Sequence, residues 1–457
     1  MCLPQLVGLA PAVDVVQLPV KPGQYQTSGT LKNNPKLGLS PGFVLLIAPV
    51  GSYRIIPYLE AAKSLGVELL VVSNSEHSLI PQVAKGISVN FGDITLARKK
   101  ILAAIASLNI LCVLATDDIC VDLSSQIAQQ LNLPQNKPEA ARLTHRKDLA
   151  REALRLAGCN TPEFQIIELI HAAKISATIN YPVVIKPLSL SASKGVIRAN
   201  DATEFIHACE RIDSILEAAG QIDYERHHVI IEAYLDGSEF AIEGFIIDGT
   251  FHLLTIFDKP EPLIGPFFEE TYYLTPTQLD DSLQKELIEE VSRCCEAYNL
   301  THGPIHAEVR MTQAGVVLLE LAARTIGGQC GQLIEFSTQQ SLEELVIRGM
   351  CGFEPKLPSR AESAGVLMIP VTESGLMKRV EGLTAALQVE FIKDIEIHIQ
   401  TGYELVPLPE GSSYLGFIFA QAPSYEQTYS ALKTAYSKLK FVTQPVWKID
   451  QRVRASD

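Results

Sequence analysis

The chain has 457 residues, 47% of them hydrophobic and 20% charged, with a formal net charge of −14 at pH 7. Such a length holds roughly two to four domains with ample buried core. The acidic balance argues against nucleic-acid or anionic-membrane partners, which need positive patches, but leaves room for a nucleotide that needs only a few local lysines.

Residues 1–41 carry six prolines and many small polar residues, and read as an irregular arm. The first positive charge is Lys21, so the basic start of a signal peptide is missing, and no apolar run approaches the ~18 residues of a membrane span. Nine scattered cysteines without a CxxC pair suggest reduced thiols, with the cytoplasm as the default location. From Phe43 the pattern alternates. Apolar strands are expected at Phe43–Pro49, Glu68–Ser73 and Ile110–Ala115, and helices at Arg54–Leu65, Leu96–Ser107 and Asp118–Leu131. This predicts a Rossmann-like parallel sheet over residues 42–137, although the first turn, Val50-Gly51-Ser52, lacks a GxGxxG fingerprint. Thr116-Asp117-Asp118, at a strand's carboxyl end, either lines a crevice or caps the next helix.

Pro138–Gly158 reads as helical, with Thr144–Asp148 beginning or interrupting it. The chain then turns β-rich around a helix at Ala202–Ile215, with strands near Phe164–Glu168, Val183–Lys186, Val229–Glu232, Glu239–Ile247 and Thr250–Phe257. Asp258–Phe268, with three prolines, reads as a mobile loop, and Thr277–Tyr298 as a long helix. A helix at Ser341–Met350 closes the region. Beyond a boundary near Phe353–Ala361, strands at Ala364–Pro370, Ala385–Lys393 and Tyr414–Ala420 and a helix at Ser424–Leu439 suggest a separate α+β module.

Four stretches carry chemistry. Lys147 sits in the Thr144–Asp148 segment, as an exposed helical lysine or as a phosphate contact. Tyr181–Val196 reads YPVVIKPLSLSASKGV, a strand ending in Lys186 and then a small-residue loop. Such a loop lets backbone amides close round a phosphate, though a solvated loop with two surface lysines has the same look. Val229–Gly244 reads VIIEAYLDGSEFAIEG, a strand, a short hinge and an acidic turn. Hinge amides suit an adenine edge and Glu239 suits ribose hydroxyls, while a plain hairpin fits as well. Pro304–Gly328 reads PIHAEVRMTQAGVVLLELAARTIGG, a hairpin about Gly315. A turn centred on Ala314 sets Glu308 opposite Glu320, His306 opposite Ala322 and Arg310 opposite Leu318. Carboxylates that close repel each other unless a cation sits between them, and Mg²⁺ is the natural guest; two solvated glutamates are the alternative.

In this order the four stretches resemble the ATP-grasp superfamily of ligases, whose phrases are of the types DK, (Y/F)PVVIKP…(S/G)KGV, E-(x)₂-(L/I)-x-G-x-E and E…E-x-N-x-R. Here they appear as RKD, YPVVIKPLSLSASKGV, EAYLDGSE and AEVRMTQAGVVLLELAAR, over roughly Lys137 to Gly352. ELAAR is similar in form to the E-S-A-A-R of L-amino acid ligases that make dipeptides. The resemblance implies an α/β and α+β multidomain chain: an arm (1–41), a Rossmann-like domain (42–137), an ATP-grasp domain of two α+β subdomains (138–352) and a C-terminal α+β module (353–457). That module would either build a homodimer interface or cover the site.

By the same resemblance, Lys147 and Lys186 touch the phosphates of ATP, and Ser191, Ser193, Lys194 and Gly195 close over them. Glu232, Ala233 and Leu235 frame adenine, and Glu239 takes the ribose. Glu308 and Glu320 hold Mg²⁺, with Mn²⁺ an alternative, and Arg324 with the amides of Gly327 and Gly328 faces the reacting groups. Glu270 is a guess for a substrate ammonium group, and His306 shares the metal-side face. Where the family carries asparagine two residues after the second glutamate this chain has Ala322, which removes one ligand. The implied reaction joins a small carboxylate to an amine through an acyl phosphate, releasing ADP and phosphate. The alternatives are a carboxylating enzyme like biotin carboxylase or those of the purine pathway, and a non-catalytic nucleotide-binding protein.

Overall fold

The computed structural model describes residues 41–74, 84–353 and 362–446. The expected arm and most of the 353–361 boundary lie outside these residues. The apolar runs form the buried parallel sheet that their composition demands. Strands β1 (Phe43–Ile47), β2 (Glu68–Ser73), β3 (Lys85–Ser88) and β4 (Ile110–Ala115) lie in the order β3-β2-β1-β4. Val44, Leu45, Leu46 and Ile47 are fully buried because helices cover both faces. Helix Ile55–Leu65 stops at Gly66, whose φ of +73° is a conformation suited to glycine.

The region expected to be one helix from Pro138 to Gly158 is two, Pro138–Leu143 and Lys147–Ala157. Arg146 between them is extended, and the amide of Lys147 bonds the carbonyl of Leu188 at 2.9 Å. The break therefore aims the start of the second helix at the small-residue loop. A small lobe follows, the antiparallel sheet β5-β8-β6-β7 formed by β5 (Phe164–Glu168), β6 (Val183–Pro187), β7 (Ile197–Ala199) and β8 (His228–Ala233). Helix Ala202–Ala218 packs Phe205, Ile212 and Leu216 onto Ile185, Val229 and Ile231.

The large lobe is built on β9 (Ser238–Ile247), β10 (Thr250–Asp258), β11 (Tyr272–Thr275), β12 (Gly303–Thr312) and β13 (Gly315–Ala322). The segment expected as a helix from Thr277 starts at Asp281, where the Asp280 side chain accepts from the amides of Ser282 and Leu283. Three of the C-terminal strands join the large-lobe sheet instead of forming a separate one. β11 pairs with β14 (Ser363–Ile369), and β18 (Gly416–Ala422) and β16 (Ile392–Ile397) extend one eight-stranded sheet, β13-β12-β9-β10-β11-β14-β18-β16. A three-stranded sheet of β15 (Gly375–Glu381), β17 (Glu404–Leu405) and β19 (Lys440–Gln444) completes the fold. The strand expected over Ala385–Lys393 is instead a short helix, Leu383–Leu387, entered from Gly382 at φ +85°, and pairing begins only at Ile392. Among the described residues no helix is long and apolar enough to cross a membrane.

Candidate active site

A cavity lies between the small-lobe sheet and the β9–β13 face. It gathers Lys147, Lys186, Ser193, Glu232, Ala233, Leu235, Glu239, Glu270, Glu308 and Glu320, supplied by segments as far as 173 residues apart (320 − 147). Val184, Leu190, Val196, Leu263, Phe268 and Leu319 provide apolar wall. The hinge holds its shape through its own backbone, since the amide of Ala233 bonds the Glu163 carbonyl and that of Tyr234 the Pro182 carbonyl. Among the described residues the Leu235 amide has no protein acceptor, so it is free for a ligand edge.

Lys147 and Lys186 enter from different supports. Nζ of Lys147 donates to the Leu190 carbonyl at 2.9 Å and lies 3.8 Å from Glu320. Nζ of Lys186 is 2.5 Å from Glu232, whose other oxygen accepts from Arg151 Nε at 2.6 Å. Burial alone would raise the Glu232 carboxyl, but Arg151 and Lys186 outweigh it and hold it down at about 2. Its side chain is thus an anchor for two cations. Arg151 also donates to the carbonyls of Leu318 and Leu319, tying the helix of Lys147 to the hairpin.

In the hairpin Glu308 does face Glu320, and His306 faces Ala322. The turn is one residue tighter than the expected one, so Arg310 faces Val317 and a bulge at Leu319 restores the pairing of the two glutamates. Three carboxylates from β9, β12 and the loop after β10 also converge. Oxygens of Glu239, Glu270 and Glu308 lie within 4.8 Å of one another. The buried ammonium of Lys259 sits among them, 2.8 Å from Glu239 and 3.1 Å from Glu308, and it also bonds Glu270. Burial works against that ammonium, yet Glu239, Glu270 and Glu308 raise it well above the ordinary lysine value. Burial and the neighbouring Glu308 push Glu270 up to about 7, while Lys259 and His306 overcome burial and hold Glu308 low. Both oxygens of Glu239 are engaged, one by Lys259 and one by Arg310 at 2.6 Å. Lys259 thus compensates this cluster, and Glu308 with the half-exposed Glu320 that faces it are the carboxylates on the cavity wall whose oxygens suit a hard divalent cation.

The remaining expected residues are off the cavity wall. Arg324 is clamped by Asp118, with Nε at 2.7 Å and Nη2 at 2.9 Å from its two oxygens. Ser191 donates to the same Asp118 at 2.7 Å. Lys194 lies elsewhere on the loop, and the Gly195 amide donates to the Pro409 carbonyl at 2.9 Å. His306 lies between Glu243 (3.4 Å) and Glu308 (3.6 Å); burial disfavours its charge, but these carboxylates raise it to about 9. Gly327 and Gly328 follow Arg324, with amides that have no protein acceptor among the described residues. Sequence reasoning missed Lys259, Arg151, Arg310 and the clamp by Asp118. Only Asp118 carried a signal, its place at the end of β4.

Residues 179–332 match the ATP-grasp domain family, 59–135 the ATP-grasp N-terminal domain, and 367–444 the L-amino acid ligase C-terminal domain 2. The chain is 26% identical over 239 residues to dapdiamide A synthase of Enterobacter agglomerans, covering 51% of this chain and 55% of that protein. It is 25% identical over 357 residues to human carnosine synthase 1, covering 72% and 42%. The matched region is thus about half the length of these curated relatives. An L-amino acid ligase structure from Bacillus licheniformis superposes with a TM-score of 0.73 at 25% identity, over 88% of this chain and 98% of that one.

Proposed function

We propose that this chain, an ATP-grasp protein by its domains, is an ATP-dependent carboxylate–amine ligase that joins amino acids, or an amino acid and another small acid. The observation that carries the reading is one cavity in which two lysines from separate supports face a cluster of carboxylates across a free hinge amide. The L-amino acid ligase type of C-terminal domain favours amide formation over carboxylation. The acid is activated as an acyl phosphate, the amine attacks the acyl carbon, and ADP and phosphate leave. Lys147 and Lys186 neutralise the phosphate chain and Ser193 closes over it. Leu235 and the neighbouring Ala233 frame the adenine edge, and Glu239 stands beside the sugar. Mg²⁺ held by Glu308 and Glu320 supplies charge neutralisation at the phosphate oxygens when bound. Ala322 leaves that seat one protein ligand short. Arg324, aligned by Asp118, and the amides of Gly327 and Gly328 stabilise developing oxyanions; removing such a donor typically costs about 10²–10³ in rate. Glu270, which pairs with Lys259, is the proposed contact for a substrate ammonium group. The free thiols and acidic charge suit a cytoplasmic enzyme acting on small molecules.

The test is ADP and phosphate release with a panel of amino acids given singly and in pairs. Release that needs the second amine supports the reading. Turnover indifferent to any amine, or dependent on bicarbonate instead, sinks it. Glu320→Gln must abolish the amine-dependent release.

A further inference from the structure

Away from the cavity, the segment after helix Lys147–Ala157 meets helix Asp281–Ala297 through a second cluster of reactive groups. The sulfurs of Cys159 and Cys294 and a carboxylate oxygen of Glu290 lie within 4.8 Å of one another. Cys294 is fully buried, and Cys159 keeps 7% exposure beside the exposed Gly158 and Asn160. Arg293 spans the cluster, donating to the Gly158 carbonyl at 2.8 Å and to Glu290 at 2.8 Å. We propose that Cys159 and Cys294 form a hydroperoxide-sensitive thiol pair, with Cys159 the attacking sulfur and Cys294 the resolving one.

Redox-sensitive thiols lie within reach of solvent and next to a second thiol, and Cys159 is the less deeply buried of this pair. The hydrogen bond with Cys294 outweighs burial and the Glu290 and Glu296 carboxylates, and together with Arg293 lowers the Cys159 thiol to about 7. Cys294, whose own ionisation is opposed by Cys159 and by burial, keeps its proton, and its sulfur is 3.9 Å from the Glu290 oxygen that can take it. The Cys159 thiolate attacks the hydroperoxide, so an S–O bond forms, the O–O bond breaks and the alcohol (or water) leaves. The Cys294 sulfur then attacks the resulting sulfenic acid. The S–S bond forms, the S–O bond breaks, and hydroxide leaves as water with the proton that Cys294 releases through Glu290. Two thiols are oxidised and one hydroperoxide is reduced. A metal is the poorer occupant, since Glu290 already accepts from the Asn160 amide and is neutralised by Arg293.

The full-length protein, reduced and then titrated with hydrogen peroxide, is alkylated and mapped by peptide mass spectrometry. The expected product is an intramolecular Cys159–Cys294 disulfide, reversed by dithiothreitol and raising Tm by several degrees. In Cys294→Ser, dimedone must label Cys159; in Cys159→Ser, neither label nor disulfide appears at Cys294. The proposal fails if Cys159 oxidises no faster than buried Cys209. It fails equally if peroxide links the other adjacent pair, Cys112 and Cys351, while Cys159 and Cys294 stay alkylatable. Zinc that copurifies and is lost in Cys159→Ser would overturn it in favour of a metal site.

Discussion

Lys259 shows how much of the site a single residue can organise. It pairs with three carboxylates on different segments, Glu239 buried and Glu270 and Glu308 half-buried, so its removal leaves their negative charge uncompensated at the cavity wall. Breaking a buried ion network from one side costs about 3–5 kcal/mol. Lys259→Met should therefore lower unfolding stability in urea by that order, and Mg²⁺ should restore part of it; equal stability with and without Mg²⁺ would speak against a cation seat. Lys259 was illegible in the sequence because it opens the proline-rich run Asp258–Phe268, whose composition signals a loop and says nothing about what the loop buries. Asp118 makes a pH prediction. Burial would raise its carboxyl, but Arg324 holds it at about 2, below the usual 3.8. A depressed value contributes stability above the unfolded value and loses it as pH falls through the folded one. The contribution, about 2–3 kcal/mol from that shift, is complete near neutrality and disappears between about pH 4 and pH 2. Asp118→Asn should flatten the acid limb of the stability curve over that window, and wild-type slope in the variant would rule the clamp out.

Elements were legible where one period ruled them. The hairpin of Glu308 and Glu320 could be registered from alternation alone, and the bulge at Leu319 escaped because two adjacent leucines hide which one is extra. The hinge shows the limit from the other side. Asp236-Gly237 announced a turn, but nothing in the sequence said that Gly237 lies against the next strand. At φ +136° a Cβ there would come within 1.9 Å of the Met311 carbonyl oxygen on β12. Backbone cannot give as a side chain can, so Gly237→Ala should cost roughly 2–4 kcal/mol and displace the hinge from the cavity. Thermal unfolding and ATP affinity would both move; an unchanged Tm would mean that the turn relaxes freely.

At the scale of the molecule, the Rossmann-like sheet and the order of lobes could be read from strand and helix periods. The fusion of the C-terminal strands to the large sheet could not. The join is β11, four residues after a proline-rich loop, too short to carry a pattern. The join has a consequence for the small-residue loop after β6. The loop between β17 and β18 reaches the small lobe, where the Pro409 carbonyl accepts from the Gly195 amide and both oxygens of Glu410 accept from one edge of Arg211. Arg211 also stands over the Phe267 ring at 4.9 Å. The small-residue loop of Ser191 and Gly195 is thus held on one side by Asp118 through Ser191 and on the other by the C-terminal module. Arg211 and Glu410 are each more than 40% exposed, so water and salt screen their pair and its worth stays below about 1 kcal/mol. Glu410→Gln should consequently raise the KM for ATP only by roughly two- to fivefold, with kcat little changed. Because the effect is electrostatic, raising ionic strength must shrink the ratio of the variant's KM to that of the wild type towards one. A KM ratio that is the same at low and high salt would mean that the clasp acts through the Gly195–Pro409 hydrogen bond and packing alone.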